Sequence, residues 1–242
     1  MEFVKTTHKK ILVLLTNEKS LRSNPNESDS EFLTGFDVKE LAHVHQKIKE
    51  YCPKVVFDFV TPKGGLAPID PTSLKDRTSD TILRKFIEDE GIMNDLKNTK
   101  SLDSIKESEY RVMIIPGGAG AVFDLPYAMK KHATLLDEIM KNCGMIATIG
   151  HGLSALMDVP RTTQSREFWI TGKKVTCISK EEDQKLRLVE VLPFVPEEKV
   201  TQRHAKYEKA APFTSKVVVD GRLVTAQNPQ SIDAWIEKMF SL

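Results

Sequence analysis

Two glycine-rich turns hold the residues best placed to do chemistry. The first, Ile115-Pro116-Gly117-Gly118-Ala119-Gly120-Ala121, directly follows an apolar run, and its glycines let backbone N–H groups approach a ligand closely. It lacks the Gly-Lys-Ser/Thr of a Walker loop and the GxGxxG dinucleotide fingerprint, so no nucleotide site is assigned. The second, Thr148-Ile149-Gly150-His151-Gly152-Leu153-Ser154-Ala155-Leu156, leads an apolar run into a helical pattern through Gly-His-Gly. This is the outline of a nucleophile elbow, the strained strand-to-helix turn that lifts a reactive side chain above a sheet edge. Its apex calls for Ser or Cys, and Gly150 stands there.

The elements that must position these turns are legible as periodicity. Short runs rich in Val and Ile, at 11–15, 55–60, 112–115, 145–149, 174–178 and 216–219, read as strands. Between them, Phe36, Leu41, Val44 and Ile48 recur at helical spacing, as do Ile82, Phe86 and Ile87, then Leu135, Leu136, Ile139 and Met140. Continuous apolar strands alternating with helices predict an α/β fold whose parallel sheet is covered on both faces. In such sheets ligands bind beyond the carboxyl ends of the strands, where both turns fall. Residues 20–30, rich in Ser, Asn and Glu, read as a flexible loop over that edge. Residues 61–73, with Pro62, Gly64, Gly65, Pro68 and Pro71, read as a rigid connection. Residues 75–108 read as a helical insertion within a single domain spanning 1–242.

Composition removes several function classes. Among 242 residues, 35 Lys and Arg against 34 Asp and Glu leave a net charge of +1, which supplies no general footprint for nucleic acid. No apolar stretch approaches the roughly 18 residues of a membrane span. The run at 11–15 after Lys9 and Lys10 is too short for the core of a signal peptide. Cys52, Cys143 and Cys177 form no CxxC pair, so neither a disulfide framework nor a zinc site is indicated and a cytoplasmic location is expected. Glu40 and His43 share a helix face, but no second Glu-x-x-His exists; no metal and no cofactor is assigned.

Ordered motifs run along nearly the whole chain. They are Thr34-Gly35-Phe36 leading to Glu40-Leu41-Ala42-His43, Thr61-Pro62-Lys63-Gly64-Gly65 with Ala67-Pro68-Ile69-Asp70-Pro71, and the Pro-Gly-Gly loop closing on Phe123-Asp124-Leu125-Pro126. Gly172-Lys173-Lys174-Val175-Thr176, Glu181-Glu182-Asp183 and the segment from Asp220-Gly221-Arg222 to Gln227-Asn228-Pro229 follow. In these the sequence resembles the ThiJ/PfpI (DJ-1/PfpI) superfamily, and within it the glyoxalase III and chaperone class. Its glycine-bearing elbow also resembles that of the animal glutamine amidotransferase-like class 1 domain proteins, which look like non-catalytic relatives.

The resemblance implies a flavodoxin-like three-layer sandwich with a mostly parallel central sheet. It also implies roles: in that class the elbow reads Cys-His-Gly-Pro, with Cys as nucleophile. Carried onto this chain, Gly150 is the vacant nucleophile position, His151 and Asp183 are the rest of a triad, and Glu40 is the glutamate facing the thiol. Backbone N–H groups of Gly118 and His151, with Gly117 beside them, form the oxyanion and ligand-binding loop. Ala119, where the class often has His, and Leu153, where it has Pro, depart from the pattern in the same direction as Gly150.

The function implied is a catalytically silent, chaperone-like or scaffold subunit with protein partners or a homo-oligomeric state, its site open to a small carbonyl or carboxylate ligand. One alternative is a cysteine-independent glyoxalase III-like or hydrolase activity, turning a 2-oxoaldehyde such as methylglyoxal into a 2-hydroxy acid through Glu40 and His151. Another is a small-molecule sensor holding an anion at the helix start after His151. Plainer roles stand beside these. Taken alone, Glu40 reads as a solvated helix residue, His151 as a helix cap, and Asp183 as part of an acidic helix start. Cys177 reads as a small buried apolar residue. A hairpin turn at Asp220-Gly221 and a helix start at Asn228 account for Arg222, Gln227 and Asn228.

Overall fold

The computed structural model describes residues 10–22, 31–162 and 165–242. In chain order the elements are β1 (Lys10–Leu14), β2 (Ser20–Arg22), β3 (Glu31–Leu33), α1 (Val38–Tyr51), β4 (Phe57–Thr61), α2 (Thr81–Glu88), α3 (Glu90–Lys97), β5 (Lys100–Ser101) and β6 (Tyr110–Ile115). There follow α4 (Ala121–Lys131), α5 (Ala133–Lys141), β7 (Met145–Ile149), α6 (Ser154–Met157), β8 (Lys174–Val175), α7 (Lys180–Lys185) and α8 (Pro196–Gln202). The chain closes with β9 (Lys206–Tyr207), β10 (Val217–Asp220), β11 (Leu223–Ala226) and α9 (Ile232–Ser241).

Seven strands form one sheet in the order β10-β11-β7-β6-β1-β4-β5, parallel throughout except for β10 against β11. The central strands are apolar on both faces because both are covered. Leu41, Val44 and Ile48 of α1, Leu83 and Phe86 of α2 and Trp235 of α9 pack on one side. Leu125 and Met129 of α4, Leu135 and Leu136 of α5 and Leu156 of α6 pack on the other. Each such fully buried side chain contributes about 1.5–3 kcal/mol of hydrophobic free energy. This is the expected α/β sandwich.

Three local expectations need correction. The stretch at 20–30 is not simply a loop: β2 and β3 pair antiparallel across it, while residues 23–30 lie outside the described residues. The run at 174–178 is no strand of the main sheet. Only its first two residues pair, in parallel with β9, and the Thr176 N–H donates instead to the Thr225 hydroxyl at 2.9 Å. Strand β11, absent from the expected runs, lies between β7 and β10. The stretch at 75–108 holds α2 and α3, and its Leu83, Phe86 and Leu96 are buried in the α1-side core.

At the carboxyl edge the loops are tied together by side chains. The Asn17 amide donates to Thr61 Oγ1 at 3.0 Å and to the Gly64 carbonyl at 3.1 Å, and its oxygen accepts from Lys63 N–H at 2.8 Å. Asp124 of α4 accepts from the Thr16 hydroxyl and from Asn17 N–H, both at 2.7 Å. Among the described residues, no helix is long and apolar enough to cross a membrane.

Candidate functional site

Helix α1 starts at Asp37, whose side chain accepts from Glu40 N–H at 3.0 Å, an N-cap that places Glu40 in the first turn. The turn after β6 meets it there. Asp37 N–H donates to the Gly117 carbonyl at 2.9 Å, and Gly117 N–H donates to Glu40 Oε2 at 2.6 Å. Gly117, expected to face a ligand, therefore has its N–H committed to holding Glu40. Gly118 has φ +98°, and a Cβ there would lie 2.2 Å from the Gly35 carbonyl oxygen, so the turn can pass α1 this closely only with glycine. Glu40 is almost fully buried. Burial and the neighbouring Asp37 push its carboxyl well above the usual range, and burial likewise pushes Asp37 up to about 6.

The turn after β7 has the elbow's geometry. Residues Gly150–Leu153 form a 3-10 turn running into α6, and Gly150 has φ +55°. A Cβ built at Gly150 would meet nothing nearer than Glu40 Oε1 at 3.8 Å and the Gly117 Cα at 3.9 Å. The apex thus has the backbone conformation that strains a side chain, and the space to hold one. Next to it, His151 Nε2 lies 2.9 Å from Asp183 Oδ1, with both side chains buried. Burial works against charging this imidazole, but the Asp183 carboxylate and its hydrogen bond outweigh that and raise its pKa above the ordinary value.

Glu40, Gly118, Gly150 and His151 line one cavity of about 460 Å³. Asp183 stands behind His151, and Gly117 behind Glu40, each a support to a lining residue. A buried glutamate, a glycine-lined turn and a His–Asp pair now surround an elbow apex with no reactive atom. The sequence profile of the DJ-1/PfpI family matches residues 85–242.

The chain belongs to the DJ-1/PfpI family.

A glutathione-independent glyoxalase of Schizosaccharomyces pombe, hsp3101, is 27% identical over 216 residues, 84% of this chain and 85% of that protein. A probable one from the same organism, hsp3103, is 31% identical over 144 residues, covering 56% of this chain and about half, 54%, of the relative. A bovine glutamine amidotransferase-like class 1 domain-containing protein is 29% identical over 141 residues, 58% of this chain and 63% of that protein. Among solved structures, the 24-kDa rapid encystment protein of Francisella tularensis superposes with a TM-score of 0.84 at 30% identity, covering 96% of this chain and 98% of that one.

Within the family framework, several residues at or behind the site have no role assigned from the sequence. Asp37 and Asp70 line the cavity beside Glu40, and Asp70 also caps the turn at Pro71–Leu74 through Thr72 N–H at 2.8 Å. Leu33, Leu186 and Phe213 line it too, and all three are exposed large apolar side chains. Glu182, one residue before Asp183, is fully buried. It accepts from Ser179 N–H at 2.9 Å, the Ser179 hydroxyl at 2.6 Å, Phe213 N–H at 2.9 Å, Gln227 at 2.9 Å and Asn228 at 2.7 Å. Besides its place in Glu181-Glu182-Asp183, a capping-box spacing, Ser179-x-x-Glu182, is the sequence signal for it.

Other candidates lie elsewhere. Cys177 is fully buried outside the cavity lining, and burial pushes its thiol well up. His43 Nε2 pairs with Asp80 at 2.7 Å. Among the described residues, no three His, Cys, Asp or Glu side chains are grouped to hold a metal ion.

Proposed function

We propose that this chain is a catalytically silent member of the family's glyoxalase III-like class, acting by binding, as a chaperone-like or scaffold subunit or a ligand-responsive one. The observation that carries the reading is Gly150. At the apex facing Glu40 it supplies no atom to bond to a carbonyl carbon, and the His151–Asp183 pair has no apical hydroxyl or thiol to deprotonate. What remains is a cavity with hydrogen-bonding walls, suited to holding a small carbonyl compound without a covalent step.

The test is methylglyoxal consumption with lactate detection, on the protein and on Gly150→Cys side by side. The unmodified protein is expected to make no lactate. The variant, whose Cβ fits without a contact under 3.8 Å, is expected to make it despite a backbone strain of about 1–3 kcal/mol. Lactate from the unmodified protein at a comparable rate overturns the proposal.

One observation favours a second reading. A buried carboxyl with a raised pKa, poised over open space, is suited to proton transfer. On a hydrated 2-oxoaldehyde, deprotonated Glu40 would take the C1 proton to give an enediol, and return a proton to C2 to give the 2-hydroxy acid. Water replaces the thiol as the added nucleophile. This reading requires turnover that Glu40→Gln abolishes; unchanged rates in that variant remove it.

A further inference from the structure

The cavity is charged unevenly from rim to floor. Its outer lining is mixed, with Thr72 and Gln230 beside Leu33 and Phe213, and selects neither a polar nor an apolar molecule. The charged lining does select. Four carboxyls, those of Asp37, Glu40, Asp70 and Asp76, face two ammonium groups, those of Lys39 and Lys75. The negative excess persists with Glu40 protonated, since three carboxyls still face the two lysines. Position sharpens it. Lys75 and Asp76 are exposed at the rim, and Lys39 is tied to Asp76 at 2.5 Å. Glu40 and Asp70 are buried and Asp37 partly so, and among the described residues none of these three is in an ion pair. His151, the remaining titratable group of the lining, does not offset them. Asp183 stands 2.9 Å behind it and Glu182, held ionised by its donors, is the next residue along, so even a charged imidazole is matched.

An acidic lining alone is a repulsive patch; a polar atom directed into the space makes it a site. The Glu40 side chain is buried, with the residue only 1% exposed, and its Oε2 accepts from Gly117 N–H at 2.6 Å. Among the described residues no donor reaches its Oε1. That oxygen faces the recess at Gly150: outside the turn it is the nearest heavy atom, at 3.8 Å, to where a Cβ on that glycine would stand. A buried carboxyl oxygen without a donor costs free energy that a donor carried in by a ligand relieves. A cationic donor satisfies the hydrogen bond and the charge together.

We propose that the carbonyl compound held at this site carries a positive charge, a primary ammonium or guanidinium group that donates to Glu40 Oε1 beside Asp37 and Asp70. This rests on the reading of the site as a binding site.

The probes are three amides of similar size and different charge, 4-aminobutanamide, pentanamide and succinamate, titrated into the full chain while the backbone amides of Gly118 and Gly150 are followed by NMR. The cation is expected to bind about tenfold more tightly than pentanamide, and succinamate least tightly. Glu40→Gln keeps an acceptor for Gly117 N–H, and Asp37→Asn keeps an N-cap. Each is expected to shrink the preference for the cation by about threefold or more while pentanamide binds as before. Lys75→Gln, at an exposed position, removes a repelling charge and is expected to tighten 4-aminobutanamide by about twofold. Its affinity is also expected to rise from roughly pH 5 to pH 8 as Asp37, raised to about 6, and Glu40 lose their protons, Asp70 and Lys39 being the other charged groups that act on them.

Pentanamide or succinamate binding as tightly as the cation overturns the proposal. So does a preference left intact by both Glu40→Gln and Asp37→Asn, or an affinity that falls as pH rises. The lactate assay run in parallel separates the two failures. Turnover of methylglyoxal by the unmodified protein sinks the binding reading, whereas no turnover together with no preference for the cation sinks only the charge assigned to the ligand.

Discussion

At the scale of single residues, the site is defined by how two acidic groups and one imidazole hold their protons. Asp37 is raised by burial and by Asp70, and Glu40 by burial and by Asp37, so the folded state binds their protons more tightly than the unfolded chain does. Their contribution to stability is complete below about pH 4, the unfolded carboxyl range, and is lost as pH climbs through the folded values, about 6 for Asp37. Glu40→Gln keeps an acceptor for Gly117 N–H and removes that loss. Its Tm relative to the parent protein is therefore expected to rise steadily from pH 4 to pH 8, and a constant difference across that range would contradict a raised Glu40. His151 has the same sign at higher pH: its stabilisation is complete below about 6.5 and fades as pH passes its raised folded value. Asp183→Asn removes the carboxylate responsible, so the imidazole titration followed by NMR is expected to move down. An unmoved titration would mean that the 2.9 Å contact does not set the charge of this ring.

At the scale of elements, the short helix α7 is the anchor of the His–Asp pair. Burial disfavours an ionised Glu182, but Ser179 and Asn228, with backbone donors, outweigh it and lower its pKa. Glu182→Ala leaves donors of Ser179, Phe213, Gln227 and Asn228 without their acceptor, at an expected cost of about 3 kcal/mol or more in urea unfolding. A loss under about 1 kcal/mol would show that water replaces the carboxylate easily. None of this was legible from Glu181-Glu182-Asp183, which reads as a helix start favoured by negative charge. The Val- and Ile-rich runs were legible because burial on both faces leaves no alternation to misread. Strand β11 was not, since Leu223–Ala226 mixes Thr and Ala into its run and its place is decided by pairing with β7, 75 or more residues away. The floor of the cavity was legible through two turns and one helix start. The rim was not, because Leu33, Leu186 and Phe213 come from three distant segments, and an isolated exposed apolar residue carries no signal.

At the scale of the whole molecule, the sheet is covered by two cores, and helices α2 and α3 of the stretch at 75–108 belong to one of them. Leu83 and Leu96 are essentially inaccessible to solvent, packed in the same cluster as α1 and α9. Amide exchange in the second turn of α2 is expected to need global unfolding, with a protection free energy equal to that of β1. Exchange there at a much lower free energy would mark α2 and α3 as a separately opening unit. The order of strands also fixes when the molecule can be finished. Strand β7 is buried along its whole length, with β6 on one side and β11 on the other. During synthesis β6 is already available, but the second partner, β11, follows β7 only after more than 70 further residues. Until then an apolar strand presents a row of open backbone donors and acceptors, the surface on which nascent chains associate with one another. Chains stalled before residue 223 are thus expected to depend more on molecular chaperones than the finished fold does.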